Sequence, residues 1–219
     1  ATPAVVQHVF ALILALTIRL PDYQRAVSAG AWQRHDRFCL MDYPIRELAG
    51  RTLGIVGFGE LGQAVARVAE AFGMRILVAQ RPGGPPREGR LPLDELLPQV
   101  DVLSLHCPLT DATRGLIGAR ELGLMRRDAL LINTARGGIV DEPALADALR
   151  RGVIGGAGID VLSREPPRAG NPLLAPDIPN LIVTPHTAWA SREARQRVVD
   201  EVAANIDAFL AGQARNRVA

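Results

Sequence analysis

Residues 52–62 read TLGIVGFGELG: a short apolar strand that runs directly into Gly57-x-Gly59-x-x-Gly62 and then into a helical pattern. That context is what a dinucleotide-binding turn requires. Gly57 allows the tight strand-to-helix turn, Gly59 lets the backbone approach a pyrophosphate with no Cβ in the way, and Gly62 lets helix and strand pack closely. Glu60 and Leu61 open the helix, whose N-terminus is the natural seat of an anion. In a chain with 21 glycines the motif alone also fits a ligand-free turn. The flanking strand and helix favour the nucleotide.

Outward from this turn, strand and helix patterns alternate from Arg51 onward. Strands are expected near Thr52–Val56, Arg75–Ala79, Val102–Leu105, Ala129–Asn133, Gly156–Val161 and Leu181–Val183, with helices at Leu61–Phe72, Asp94–Leu97, Ala119–Met125 and Glu142–Arg150. Such alternation predicts an α/β fold, a Rossmann-type doubly wound parallel sheet with helices on both faces. The stretch 81–90, RPGGPPREGR, fits neither a helix nor a central strand and reads as a surface loop. Residues 191–210 form a closing amphipathic helix, with Val198, Val202, Ile206, Phe209 and Leu210 on one face. Ahead of the alternating region, 3–20 is an apolar helix and 22–47 an arginine-rich arm carrying Trp32, Phe38 and Tyr43, with little regular periodicity.

Composition excludes several classes. The net charge is only +2, all 25 basic residues are arginines scattered among acids, and aromatic content is 4%, which gives no support to nucleic-acid binding. Cys39 and Cys107 have neither metal-ligand spacing nor a disulfide framework, so no metal is expected and a reducing cytoplasm is the simplest setting. The apolar run from Val9 to Ile18 is too short to span a bilayer and has no basic flank or cleavage site. A buried helix is the expectation there, with no membrane partner.

In an open parallel sheet, ligands bind beyond the carboxyl ends of the strands. The residues expected there are Cys107, Pro108 and Thr113 after the third strand and Thr134, Ala135 and Arg136 after the fourth. Asp160 follows the fifth, with Glu165 soon after, and His186 follows the sixth. Gln80 and Arg81 close the second strand, at the adenosine end. A guanidinium grips a carboxylate bidentately, an imidazole exchanges a proton with a carbonyl oxygen, and a neighbouring carboxylate favours the imidazolium and orients it. Each residue has a bland reading: Arg136 as a loop cap, Glu165 as a solvated turn acid, His186 as a satisfied core histidine. Together with the glycine turn they fit hydride transfer to a 2-oxo acid. His8 and His106 are read as structural.

GFGELG, HCPLTDATRGLI, LINTARGGIVDEPAL, GAGIDVLSREPP and TPHTAWAS, in this order, resemble the D-isomer-specific 2-hydroxyacid dehydrogenases. The resemblance covers nearly the whole chain. It implies that Arg136 binds the substrate carboxylate, Glu165 pairs with His186, and His186 is the acid/base. The TAWAS ending, with Trp189, looks most like the glycerate dehydrogenase and hydroxypyruvate or glyoxylate reductase branch. It also implies that 1–186 is the dinucleotide-binding domain, including a hinge helix and a dimerisation arm to about residue 48, so that a homodimer is expected. Residues 187–219 would be a helical return to a substrate domain.

Two departures from the family pattern stand out. An acidic residue that normally holds the ribose hydroxyls is replaced by Gln80, followed by Arg81; loss of the carboxylate and gain of a cation favour NADP, with NAD as the alternative in which Gln80 bonds the ribose. The family's chains also begin with a further half-domain of ~100 residues, which this sequence lacks, so a fragment inactive by itself is a second expectation. From a different class, the same fold serves cofactor-sensing co-repressor scaffolds that dimerise. Turnover of glyoxylate separates enzyme from scaffold.

Overall fold

The fold was obtained as a computed structural model, which describes residues 2–217. Six strands, β1 (Thr52–Val56), β2 (Arg75–Val78), β3 (Val102–Leu105), β4 (Leu130–Asn133), β5 (Gly156–Ile159) and β6 (Leu181–Val183), pair in parallel in the order β2-β1-β3-β4-β5-β6. Side chains on successive residues of a strand point to opposite faces. A strand covered by helices on both sides must therefore bury every position. That is true of β1, β3, β4 and β5, whereas the edge strands β2 and β6 are only partly buried.

The two faces feed two separate cores. On one, Leu53, Ile55, Val102, Leu130 and Ile132 pack with helix α1 (Thr2–Thr17) and helix α3 (Glu60–Ala71). On the other, Val56, Leu103, Leu105 and Leu131 meet α4 (Leu93–Leu96), α5 (Ala119–Leu124) and α6 (Glu142–Arg150). The apolar opening segment is thus a core helix: Val9, Phe10, Leu12, Ile13 and Leu16 are all buried, each worth about 1.5–3 kcal/mol of removed apolar surface. Among the described residues no single helix is long and apolar enough to cross a membrane.

Three details depart from the sequence expectation. The arm is not irregular throughout, because its first part forms α2 (Leu20–Ser28), started by Pro21 and turned away from α1 by Arg19 in the left-handed region (φ 57°). Asp22 is buried there between Arg19, at 2.5 Å, and Arg25. The second strand stops at Val78, with Ala79 making an isolated bridge to Leu91. The fifth stops at Ile159, although the Asp160 amide still donates to the Asn133 carbonyl. The closing helix α7 (Arg192–Leu210) forms as expected, with Ser191 as N-cap, but its apolar face points to solvent: Val202, Ile206, Phe209 and Leu210 are all exposed.

Candidate active site

Strand order reverses between β1 and β3, and the loops leaving their carboxyl ends part there to leave a crevice. The glycines of the β1–α3 turn serve different ends. Gly57 sits at φ 94°, and a Cβ on it would lie 2.6 Å from the His106 carbonyl group. A Cβ on Gly62 would lie 2.2 Å from the Gly57 carbonyl oxygen. Around Gly59 there is nothing within 4 Å, so no contact within the protein demands a glycine. This open position precedes the first turn of α3, which has no side-chain cap on its amides. A group that brings its own negative charge fits such a cradle.

Beyond the turn lies a cleft of about 440 Å³ lined by Leu61, Cys107, Pro108, Thr134, Ala135, Arg136, Asp160 and His186, together with Val5, His106, Ala188 and Trp189. Eight residues expected at the site therefore share one wall system. Thr134 Oγ1 is buried and has no hydrogen-bond partner among the described residues. Buried polar atoms are rarely left unpaired without a ligand or water to meet them. A second hollow, of about 370 Å³, lies at the opposite, amino edge of the sheet, where Arg46, Arg51, Asp101 and Asp128 largely satisfy one another.

His186 is held by its backbone and by its ring. At φ 54° it turns sharply after β6, and its amide donates to the carbonyls of Asp160 (2.8 Å) and Thr184 (3.0 Å). Its Nδ1 lies 2.6 Å from Glu165 Oε2, while Glu165 Oε1 accepts from the Leu162 amide at 2.7 Å. With Nδ1 engaged, Nε2 is the nitrogen left to exchange a proton with a ligand. Asp160 frames the same turn from beneath. Its buried carboxylate accepts from the amides of Thr187 and Ala188, each at 2.9 Å, and from the Thr184 hydroxyl at 2.5 Å.

Arg136 follows β4 on a turn closed by Asn133, whose amide group donates to the Arg136 carbonyl (3.0 Å) and accepts from the Ala135 amide (3.0 Å). The neighbouring Gly137 lets this loop touch the next one: a Cβ there would lie 1.9 Å from the Leu162 carbonyl oxygen. Among the described residues the Arg136 guanidinium hydrogen-bonds only to the Ala135 carbonyl, at 2.6 Å, and pairs with no acid. It is free to take an external carboxylate.

Other expected residues have different employment. Thr113 is buried and spends its hydroxyl on the loop after β3, donating to the Pro108 carbonyl at 2.7 Å and accepting from the Thr110 amide at 2.8 Å. Gln80 turns its carboxamide into the loop that follows β2, bonding the backbone of Arg87 and Arg90. Gly57, Gly59, Glu60 and Gly62 lie outside the cleft lining on the β1–α3 turn, as do Arg81 in the loop after β2 and Glu165, which reaches the cleft only through His186. Glu60 receives a hydrogen bond from the Thr2 hydroxyl at 2.5 Å. His8 supports the site without entering the chemistry: from α1 its Nε2 lies 2.9 Å from Thr184 Oγ1 and 3.5 Å from Asp160. His106 also lines the cleft, bonded to Ser104 at 2.8 Å, and burial pulls its pKa down to about 4. Burial pushes the Cys107 thiol up. Both are thus neutral near pH 7.

A parallel sheet with a capless glycine turn, and a carboxylate-paired histidine and an arginine on one cleft, fit a dinucleotide-dependent oxidoreductase of the Rossmann class. Residues 10–188 match the NAD-binding domain model of the D-isomer specific 2-hydroxyacid dehydrogenases, and the chain belongs to that family. A glycerate dehydrogenase from Methylorubrum extorquens is 50% identical over 212 residues, 97% of this chain and 67% of that protein. Among solved structures, an acyclic imino acid reductase in complex with NADPH and D-Arg is 32% identical with a TM-score of 0.82, covering 100% of this chain and 68% of that one. D-lactate dehydrogenase from Aquifex aeolicus complexed with NAD and lactic acid is 34% identical with a TM-score of 0.81, covering 97% and 67%. The chain spans about two thirds of the length of these relatives.

Proposed function

We propose that the protein interconverts a small 2-oxo acid of the glyoxylate or hydroxypyruvate type and its D-2-hydroxy acid, with Arg136, Glu165 and His186 as its catalytic residues. The observation that carries this reading is that His186, paired with Glu165 at 2.6 Å, shares one cleft with Arg136, which has no acidic partner among the described residues. A bound nicotinamide dinucleotide supplies the hydride. His186 Nε2 donates the proton to the carbonyl oxygen, and Glu165 favours the charged imidazolium and fixes the ring. Arg136 holds the carboxylate in a two-point grip and stabilises negative charge growing on the oxygen. The open position at Gly59, the first turn of α3 and the unpaired Thr134 hydroxyl support cofactor seating along the turn and cleft.

Absence of a carboxylate at position 80, with Arg81 beside it, supports NADP over NAD. The exposed Phe38, Met41 and Ile45 on the arm support homodimer formation through that segment. We assign 1–186 to the dinucleotide-binding domain, with the arm to about residue 48, and 187–219 to a segment docking on a further domain. Residues 1, 218 and 219 of those spans lie outside the described residues. The exposed apolar face of α7 supports the second assignment.

His186→Ala in the intact gene product tests the reading. A positioned acid contributes ~100- to 10,000-fold, so kcat for glyoxylate should fall by that order while cofactor affinity stays within about twofold. Retention of more than about a tenth of kcat would remove His186 from the chemistry.

A further inference from the structure

The loop after β2 is held shut from inside by Gln80. Its Nε2 donates to the carbonyls of Arg87 (3.1 Å) and Arg90 (3.2 Å), and its Oε1 accepts from the Arg87 amide (3.0 Å). The backbone closes the same ring, with the Gln80 amide donating to the Leu91 carbonyl at 2.7 Å and the Leu91 amide to the Val78 carbonyl at 2.9 Å. Two of these bonds need a donor on the side chain. An ionised aspartate or glutamate has none and would face two carbonyl oxygens. The loop therefore calls for an amide at position 80, and lack of charge alone is not sufficient.

Closure fixes where the arginines stand. The Arg90 guanidinium lies 6.0 Å from the centroid of the Phe58 ring, and Phe58 sits between Gly57 and Gly59 in the nucleotide turn. A guanidinium at this distance over a ring face is drawn to it and keeps its edge donors free. Arg81 differs: it is exposed, and its stem runs beside Gly84, where a Cβ would come within 3.1–3.2 Å of its side-chain carbons. At its other end the loop approaches the segment after β3, since a Cβ on Gly83 would lie 3.4 Å from Ala112. Among the described residues no acid forms an ion pair with Arg81, Arg87 or Arg90. An arginine already ordered pays less to bind an anion than one that must be immobilised.

Resting on the NADP reading above, we propose that Arg90, presented on Phe58, selects a 2′-phosphorylated adenosine, and that Gln80 is the positioning residue that holds it there. Gln80 touches no phosphate in this account; it acts through the loop.

Calorimetry with adenosine 2′,5′-bisphosphate and with ADP tests both parts without depending on turnover. The wild type should bind the bisphosphate at least about tenfold more tightly, and Arg90→Ala should cost about tenfold or more for the bisphosphate while ADP stays within about twofold. Gln80→Ala should weaken the bisphosphate selectively too, and the double variant should be no weaker than Arg90→Ala alone, because one residue works through the other. Equal affinities in the wild type would overturn the NADP reading and this inference together. Discrimination that survives Arg90→Ala would overturn the inference alone and move the contact to Arg81. Additive losses in the double variant would overturn the positioning role of Gln80.

Discussion

Substituting Gly59 by alanine separates what the fold needs from what the ligand needs. The new methyl would meet nothing within 4 Å, and the backbone at φ −83° is open to any residue. Alanine is a poorer N-cap than glycine by a few tenths of a kcal/mol or somewhat more, and this is offset by about 0.4–1 kcal/mol from restricting the unfolded chain. The net effect on stability is within about 1 kcal/mol, so the melting temperature should move by no more than about 2–4 °C. Gly62→Ala is the internal contrast, because its Cβ would lie 2.2 Å from the Gly57 carbonyl oxygen and 3.2 Å from Ile55. Backbone must shift there, at about 1–3 kcal/mol or more. Calorimetric titration with NADPH and thermal melting of each variant give the two readouts. Gly59→Ala should melt normally and lose at least about tenfold in cofactor affinity, equivalent to about 1.4 kcal/mol; Gly62→Ala should lose stability and affinity together. If Gly59→Ala bound NADPH within twofold of wild type, no pyrophosphate would approach this turn and the cradle argument would fail.

Other consequences follow from the cleft. Glu165→Gln keeps the side-chain shape but removes the charge opposite His186; a hydrogen bond to a charged partner contributes about 1.5–3 kcal/mol, and with the two side chains 33% and 41% exposed the lower end applies, about tenfold in kcat. An unchanged kcat would reduce Glu165 to a loop residue. Arg136→Ala should cost about 100-fold or more in kcat/KM for the 2-oxo acid, whereas a change confined to cofactor affinity would make Arg136 a cofactor contact. Burial holds His106 down to about 4 from its ordinary 6.5, so between those values the unfolded chain takes up a proton that the folded chain refuses. Stability is then fully present above about pH 6.5 and falls by up to about 3 kcal/mol as the pH drops toward 4. Urea unfolding of wild type and His106→Gln at about pH 4.5 and pH 7 checks this; equal acid losses in the two proteins would refute it.

The sequence made the sheet legible because periodicity and turn residues act locally. Val56 running into Gly57 announces the first strand–turn–helix unit, and the runs VLSL at β3 and LLIN at β4, apolar but for Ser104 and Asn133, announce burial on both faces. The His186–Glu165 pair was legible as a pairing of motifs, and the two side chains meet at 2.6 Å. Long-range employment of polar side chains was not legible. Nothing local says that Gln80 closes a loop onto Arg87 and Arg90, that Thr113 is spent on the Pro108 carbonyl, or that His8, far away in sequence, braces Thr184 and Asp160. Each depends on where a distant backbone group comes to rest. Helix α2 was not legible for a related reason: the residue it buries is Asp22, held between two arginines, while its apolar Leu20 and Val27 are exposed.

Chiral analysis of the glycerate formed from hydroxypyruvate and reduced cofactor by the intact gene product tests the central claim most directly. With Arg136 anchoring the carboxylate and His186 protonating the oxygen, as proposed, one face of the carbonyl would be left toward the hydride, and the family match leads to the expectation of D-glycerate. Formation of D-glycerate alone is the predicted result. L-glycerate, a racemic mixture or no glycerate at all would contradict the account.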